Sequence, residues 1–172
     1  MLKKIISGGQ SAIEIAALDA AIKLDIPHAG WCYKGKRTEH CALPERHNLK
    51  TMEMTSYHDR LEKNIIDSDG TVILSLGQLV IGSKTIKCLA AKNGKPCLHV
   101  DLTDCTMNHA VSSIRKWITN NDIETIYFTG SKPVSESNIY EETIRIIEDI
   151  CRVEIEQQTL LGFKEKDDDM PS

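Results

Sequence analysis

The sequence predicts an α/β fold, a Rossmann-like, doubly wound, mainly parallel sheet with helices on both faces, built as a single domain. Three observations carry this. Segments of strand length alternate with segments of helical period along most of the chain. The strand segments, Thr71 to Ser75 among them, are apolar runs rather than polar-apolar alternations, as expected for a sheet covered on both sides. The N-terminal run ending at Ile6 gives way to Ser7-Gly8-Gly9-Gln10-Ser11 and then to an Ala-rich helical pattern, a strand-glycine-helix order.

The elements follow in order. Lys4 to Ser7 reads as a strand whose end turns sharply at the paired glycines, and Ser11 caps a helix to Leu24. A short strand follows near His28 to Trp31, then an irregular basic loop through Arg46. A helix from Ser56 to Ile66 precedes the buried strand Thr71 to Ser75, and a helix from Ser83 to Asn93 is ended by Gly94. Pro96 to Val100 and Thr125 to Phe128 are the remaining strands, and Met107 to Asn120 and Ile139 to Ile150 the remaining helices. One ligand-binding domain spans 1–163; Lys164 to Ser172, with its acidic run and proline, reads as a disordered tail.

Composition narrows the function. The 172 residues are 41% hydrophobic and 27% charged, enough for a substantial core. A net charge of −4 and no basic-aromatic interleaving argue against nucleic acid as a partner. The N-terminal apolar run is too short for a signal peptide and no stretch reaches membrane-spanning length, so a cytoplasmic location is expected. The six cysteines form no C-x-x-C pair and read as reduced thiols, with Cys97 and Cys151 in the core. Cys32 and Cys41 lie near His28, His40 and His47, a set able to ligate a soft metal, but the spacing fits no standard zinc pattern and no metal is expected.

In a parallel sheet the loops that follow strands gather at one edge, where ligands bind. Gly8, Gly9, Gln10 and Ser11 form the first such loop: either a cradle presenting N–H groups and a helix dipole to an anion, or a tight turn with no ligand. Lys34-Gly35-Lys36-Arg37 is either an oxyanion clamp or a solvated basic loop. Ser75, Gly77 and the Gly82-Ser83 helix start supply a second anion cradle. Arg60 and Asn64, four apart, share one helix face and reach the ligand or solvent. Asp67-Ser68-Asp69-Gly70 precedes a strand and belongs to the opposite edge as a solvated turn.

Ser7-Gly8-Gly9-Gln10-Ser11 with Ala16 to Ala21, Gly30 to Arg37, Asp67-Ser68-Asp69, and Gly130 with Ile139-Tyr140 together resemble the molybdenum carrier family, within the wider lysine-decarboxylase-like Rossmannoid group. The resemblance implies a Rossmann-like fold, homo-oligomers, and a pocket for molybdenum cofactor (molybdopterin) or a related nucleotide-like anion, with molybdoenzymes as potential recipients. By position it assigns ligand binding to Gly8, Gly9, Gln10, Ser11, Lys34, Gly35, Arg37, Arg60 and Asn64, with Ser11 where the family has Thr. The family's Gly-Gly-Thr cradle stands here as Ile81-Gly82-Ser83. Related nucleotide hydrolases place a catalytic Glu in the following helix, where this chain has Cys88, read as a buried thiol; without that acid no catalytic residue is assigned. The expectation is a carrier or binding protein. The alternatives are a phosphoribohydrolase-like enzyme acting on nucleoside monophosphates, for which Glu14, Asp101 and Glu136 are the carboxylates near the edge, and a nucleotide-sensing regulatory protein.

Overall fold

The computed structural model describes residues 2–33, 45–52, 57–79, 81–130 and 138–152. Six strands form one sheet: β1 (Lys4–Ile6), β2 (His28–Tyr33), β3 (Leu49–Met52), β4 (Gly70–Ser75), β5 (Cys97–Asp101) and β6 (Thr125–Gly130). Between them run α1 (Ala12–Lys23), α2 (Tyr57–Ile66), α3 (Ile81–Lys92) and α4 (Met107–Asn120), with α5 at 139–152. The strand order is β3-β2-β1-β6-β4-β5 and every ladder is parallel. No described helix is long and apolar enough to cross a membrane.

Two cores explain why the strands carry apolar side chains on both sides. On one face Ile13 and Ala17 of α1, Ala110 and Ile114 of α4, and Ile146 and Ile147 of α5 pack on Val72, Leu74, Ile126 and Phe128. On the other, Leu61 and Ile65 of α2 and Ile86 and Ala90 of α3 cover Ile6, Ile73 and Tyr127. Burial on both faces is what makes β4 an unbroken buried run.

The predicted elements all form, with no end moved by more than two residues, and one strand is added. The sequence predicts no strand between the basic loop and the helix at Ser56; the structure has a 3-10 turn, Glu45–His47, and β3. β3 pairs only with β2 at the sheet's border, and neither Lys50 nor Thr51 is buried, so neither an apolar run nor a period-two pattern marks it. The predicted tail, Lys164 to Ser172, lies outside the described residues.

Candidate functional site

The sheet reverses direction of growth around its centre. From β1 the chain proceeds to β2 and β3 on one side; from β4 it proceeds to β5 on the other, and β6 fills the gap between β1 and β4. The carboxyl ends of these central strands are the switch point at which such sheets bind ligands. The loops after β1 and β4 both open there.

The root of the first loop is fixed from two sides. Ser7 is fully buried; its N–H donates to the Ala29 carbonyl at 3.0 Å and its hydroxyl to the Phe128 carbonyl at 3.0 Å. Gly9 adopts φ 66°, a left-handed conformation costly for any residue with a branched side chain. Ser11 then caps α1, its Oγ accepting the Glu14 N–H at 3.2 Å. Glu14 reaches back to accept the Gln10 N–H at 2.7 Å, a capping box displaced by one residue.

That carboxylate is the centre of a buried network. Glu14 is 2% and Arg60 1% exposed, and the Arg60 guanidinium donates to it at 3.4 Å. Tyr127 and Thr129 donate their hydroxyls to the same carboxylate at 3.1 and 2.9 Å. Burial, followed by the Glu14 charge, pushes the Tyr127 phenol well above its usual range, so it stays a donor. The positive end of α1 thus already holds an anion that belongs to the chain. Of the loop's donors, the N–H groups of Gly9, Ser11 and Ala12 hydrogen-bond to no described residue.

Gly8 is where α2 meets this loop. A Cβ at Gly8 would overlap Arg60 Nη1 and lie 3.3 Å from Asn64 Nδ2, so only glycine admits the guanidinium here. Asn64 itself is committed to the backbone of β2: Oδ1 accepts the Trp31 N–H at 2.8 Å and Nδ2 donates to the Trp31 carbonyl at 3.2 Å. Arg60 also lies over the Tyr57 ring, 5.6 Å from its centroid, and the Tyr57 hydroxyl is 3.6 Å from where a Gly82 Cβ would stand. Arg60 and Tyr57 therefore bridge from the first loop to the start of α3.

In the second loop Ser75 donates its hydroxyl proton to the Gly77 carbonyl at 2.7 Å. With that proton used, the 2.7 Å contact to His99 Nε2 is a bond donated by the imidazole. Burial, and then the Lys87 charge, hold His99 below its usual pKa, so it is neutral at pH 7. Gly77, at φ 91°, donates its N–H to Asp101 at 2.8 Å, and Thr103 donates to the same oxygen through its N–H and hydroxyl. Burial pushes the Asp101 carboxyl up, but these bonds outweigh it and leave it below the usual range. Gly82 and the buried Ser83 lie in the first turn of α3.

Chemically this is an arrangement of donors without an activated nucleophile. The Ser75 proton points to a carbonyl, Glu14 is occupied by four donors, and Asp101 is occupied by the two loops. Cys88 is exposed, contrary to the buried thiol expected: the buried stripe of α3 is Ser83, Ile86 and Ala90, and Cys88 falls on its outer face. Cys151 is buried as expected, and Cys97 is half-buried with its thiol pushed up to about 11 by burial. His28 Nε2 contacts the Arg46 carbonyl at 3.1 Å and His47 Nε2 contacts Asp19 at 2.9 Å. Among the described residues no group of three His, Cys, Asp or Glu is placed to hold a metal. Lys34, Gly35, Arg37, His40, Cys41 and Glu136 lie outside the described residues.

Sequence reasoning passed over Tyr57, Tyr127, Thr129 and His99. Tyr127 and Thr129 follow a period of two on a strand, but only the three-dimensional return of Glu14 connects them. Glu14 had a local signal, Ser11-Ala12-Ile13-Glu14, the capping-box pattern.

Residues 5–151 match the model of the family described as "Circularly permutated YpsA SLOG family". The chain is also similar to a crystal structure of a "Putative molybdenum carrier protein" from Syntrophus aciditrophicus SB, with 39% sequence identity and a TM-score of 0.81 over 87% of this chain and 94% of that one. No curated protein matches.

Proposed function

This chain belongs to the circularly permutated YpsA SLOG family, and from that premise we propose that it is a binding protein for a molybdenum-related, phosphate- or pterin-bearing anion, held at the carboxyl edge of the central strands. The observation that carries the reading is the first loop: glycines, a capped helix and an arginine converge there, while among the described residues of the two loops no acid, base or nucleophile is left activated. The N–H groups of Gly9, Ser11 and Ala12, which bond to no described residue, suit an oxyanion or phosphate tail. The described residues supply no ligand set for the metal, so molybdenum would be retained through its own organic ligand. Lys34 and Arg37 add cationic contacts from the loop after β2, and Gly77, Gly82 and Ser83 supply the second cradle. Delivery to a molybdoenzyme would follow from reversible binding at this open edge.

Metal analysis and mass spectrometry of gently purified protein test the reading: molybdenum and a pterin should co-purify. In calorimetry, Lys34→Ala/Arg37→Ala should bind more weakly and respond less to added salt, because exposed contacts are screened over about 8–10 Å near physiological ionic strength. Absence of molybdenum and of pterin binding sinks the carrier reading, and release of a base from nucleoside monophosphates replaces it with the hydrolase alternative.

A further inference from the structure

The second loop leads into a cleft of about 640 Å³ that runs along β5 between Lys84 of α3 and His109 of α4. Small-molecule sites occupy about 300–1,000 Å³. β5 is the last strand of the described sheet, so side chains from both of its faces reach the cleft: Leu98 and Val100 from one, His99 and Asp101 from the other. The polar pair is a pair of acceptors. Gly77 and Thr103 direct all their bonds to Asp101 Oδ1, and Oδ2 bonds to no described residue. His99 uses its ring proton on Ser75 through Nε2, which leaves Nδ1 as a lone-pair acceptor that also bonds to no described residue. Burial raises the Asp101 carboxyl, but the bonds from Thr103 and Gly77 lower it by more, so it is ionised at neutral pH.

A carboxylate oxygen and an imidazole lone pair on one strand face call for a ligand edge made of N–H donors. The 2-amino-4-oxopyrimidine edge is such an edge: an exocyclic amine and the ring N–H beside it, shared by pterins and guanine. We infer that the cleft along β5 reads this edge, with Asp101 Oδ2 and His99 Nδ1 as its acceptors and Leu98 and Val100 against the ring. The inference rests on the proposed reading of a phosphate- or pterin-bearing ligand, and it assigns the part of that ligand which the glycine loops do not hold. Adenine is disfavoured by the same charge, because the ring nitrogen beside its amine carries a lone pair that would face the carboxylate. Lys84, in the first turn of α3, borders the cleft as a cation for the anionic end. β1 and β5 are three strand spacings apart, about 14 Å. A ligand that also touches the first loop is therefore elongated, with its phosphate and its ring at opposite ends.

Calorimetric titration of the full chain with 6-hydroxymethylpterin phosphate, its lumazine counterpart, GMP and AMP is the test; lumazine has a carbonyl where pterin has the 2-amino group. The wild type should bind the pterin at least about tenfold more tightly than the lumazine, equivalent to about 1.4 kcal/mol, and GMP more tightly than AMP. Asp101→Asn keeps an oxygen for Gly77 and Thr103 but sets an amide donor in place of Oδ2, so its preference should shift from pterin toward lumazine. The ratio of the two affinities is the readout, and general damage to the loop does not imitate its shift. If Asp101→Asn fails to fold, the wild-type ratios decide. GMP bound more tightly than the pterin identifies guanine as the source of the edge, the reverse order identifies a pterin, and either upholds the inference. A wild type that binds none of the probes or ignores the 2-amino group overturns it, as does an Asp101→Asn variant with the wild-type ratio. Metal analysis answers separately for the carrier reading: a protein that retains molybdenum and pterin yet ignores the 2-amino group loses this inference alone, and one that selects the amine but retains no molybdenum loses the carrier reading alone.

Discussion

The Glu14 and Arg60 side chains show how one residue can be read two ways. A carboxylate beside a ligand loop suggests acid-base chemistry, yet here it accepts the Gln10 N–H and two hydroxyls and neutralises a guanidinium that is itself buried. Removing it would take the Glu14 carboxylate away from the buried Arg60 guanidinium, and breaking a buried pair from one side costs far more than the pair is worth. Glu14→Ala should therefore lose about 3–5 kcal/mol of unfolding free energy, measured by urea titration. Glu14→Leu/Arg60→Met, which removes both charges with similar volume, should recover most of that loss. A double variant as unstable as the single one would mean that the hydroxyl and backbone bonds, not the ion pair, dominate. At this scale the Ser11 cap was legible because its chemistry is local, whereas Arg60 and Asn64, expected to reach a ligand or solvent, are buried against Glu14 and the Trp31 backbone. The partnership of Glu14 with Tyr127 and Thr129 was not legible, since it joins positions more than a hundred residues apart.

In the proposed reading helix α1 is the element that makes the loop a site, because its N-terminus supplies the dipole and N–H groups that bond to no described residue. Its cap includes the 3.2 Å bond that Ser11 Oγ accepts from the Glu14 N–H, and Ser11→Ala should cost about 1 kcal/mol, seen as a lower urea midpoint with an unchanged slope. An unchanged midpoint would show that Glu14 and the bond at Gln10 hold the turn without the hydroxyl. The start of α1 was readable from Ser11, whose side chain accepts a first-turn N–H; Thr106, not singled out in the sequence, caps α4 in the same way. β3 was unreadable for the opposite reason: four residues with two exposed at the centre, joined to a single neighbour, carry no pattern of their own. Its existence depends on β2, whose backbone Asn64 grips from the far side of the sequence.

Across the whole molecule the alternation of strands and helices gave the class of fold, whereas the order of the strands came from long-range pairing. β6, last in sequence, lies at the centre between β1 and β4, a placement that no local pattern encodes. Holding such a chain together requires ties between distant segments, and Asp19 of α1 is one. It accepts Arg46 at 2.8 Å and His47 at 2.9 Å from the turn before β3, and the Tyr140 hydroxyl at 2.7 Å from α5. Burial pushes the Asp19 carboxyl up, but the bonds from His47 and Tyr140 and the charges of His47 and Arg46 outweigh it, leaving the pKa below 3.8. A group whose pKa is lowered by folding adds stability that is present above its unfolded value and disappears as pH falls through the folded one. Asp19→Asn should thus cost about 1.5–3 kcal/mol at pH 7, the scale of a charge-assisted hydrogen bond. The gap between variant and wild type should narrow as pH drops below about 4. Asp101, also held low, titrates in the same range and is present in both proteins, so it does not change the comparison. Chemical denaturation from pH 7 to pH 3 provides the measurement; a gap that is constant with pH would show that Asp19 contributes packing rather than charge.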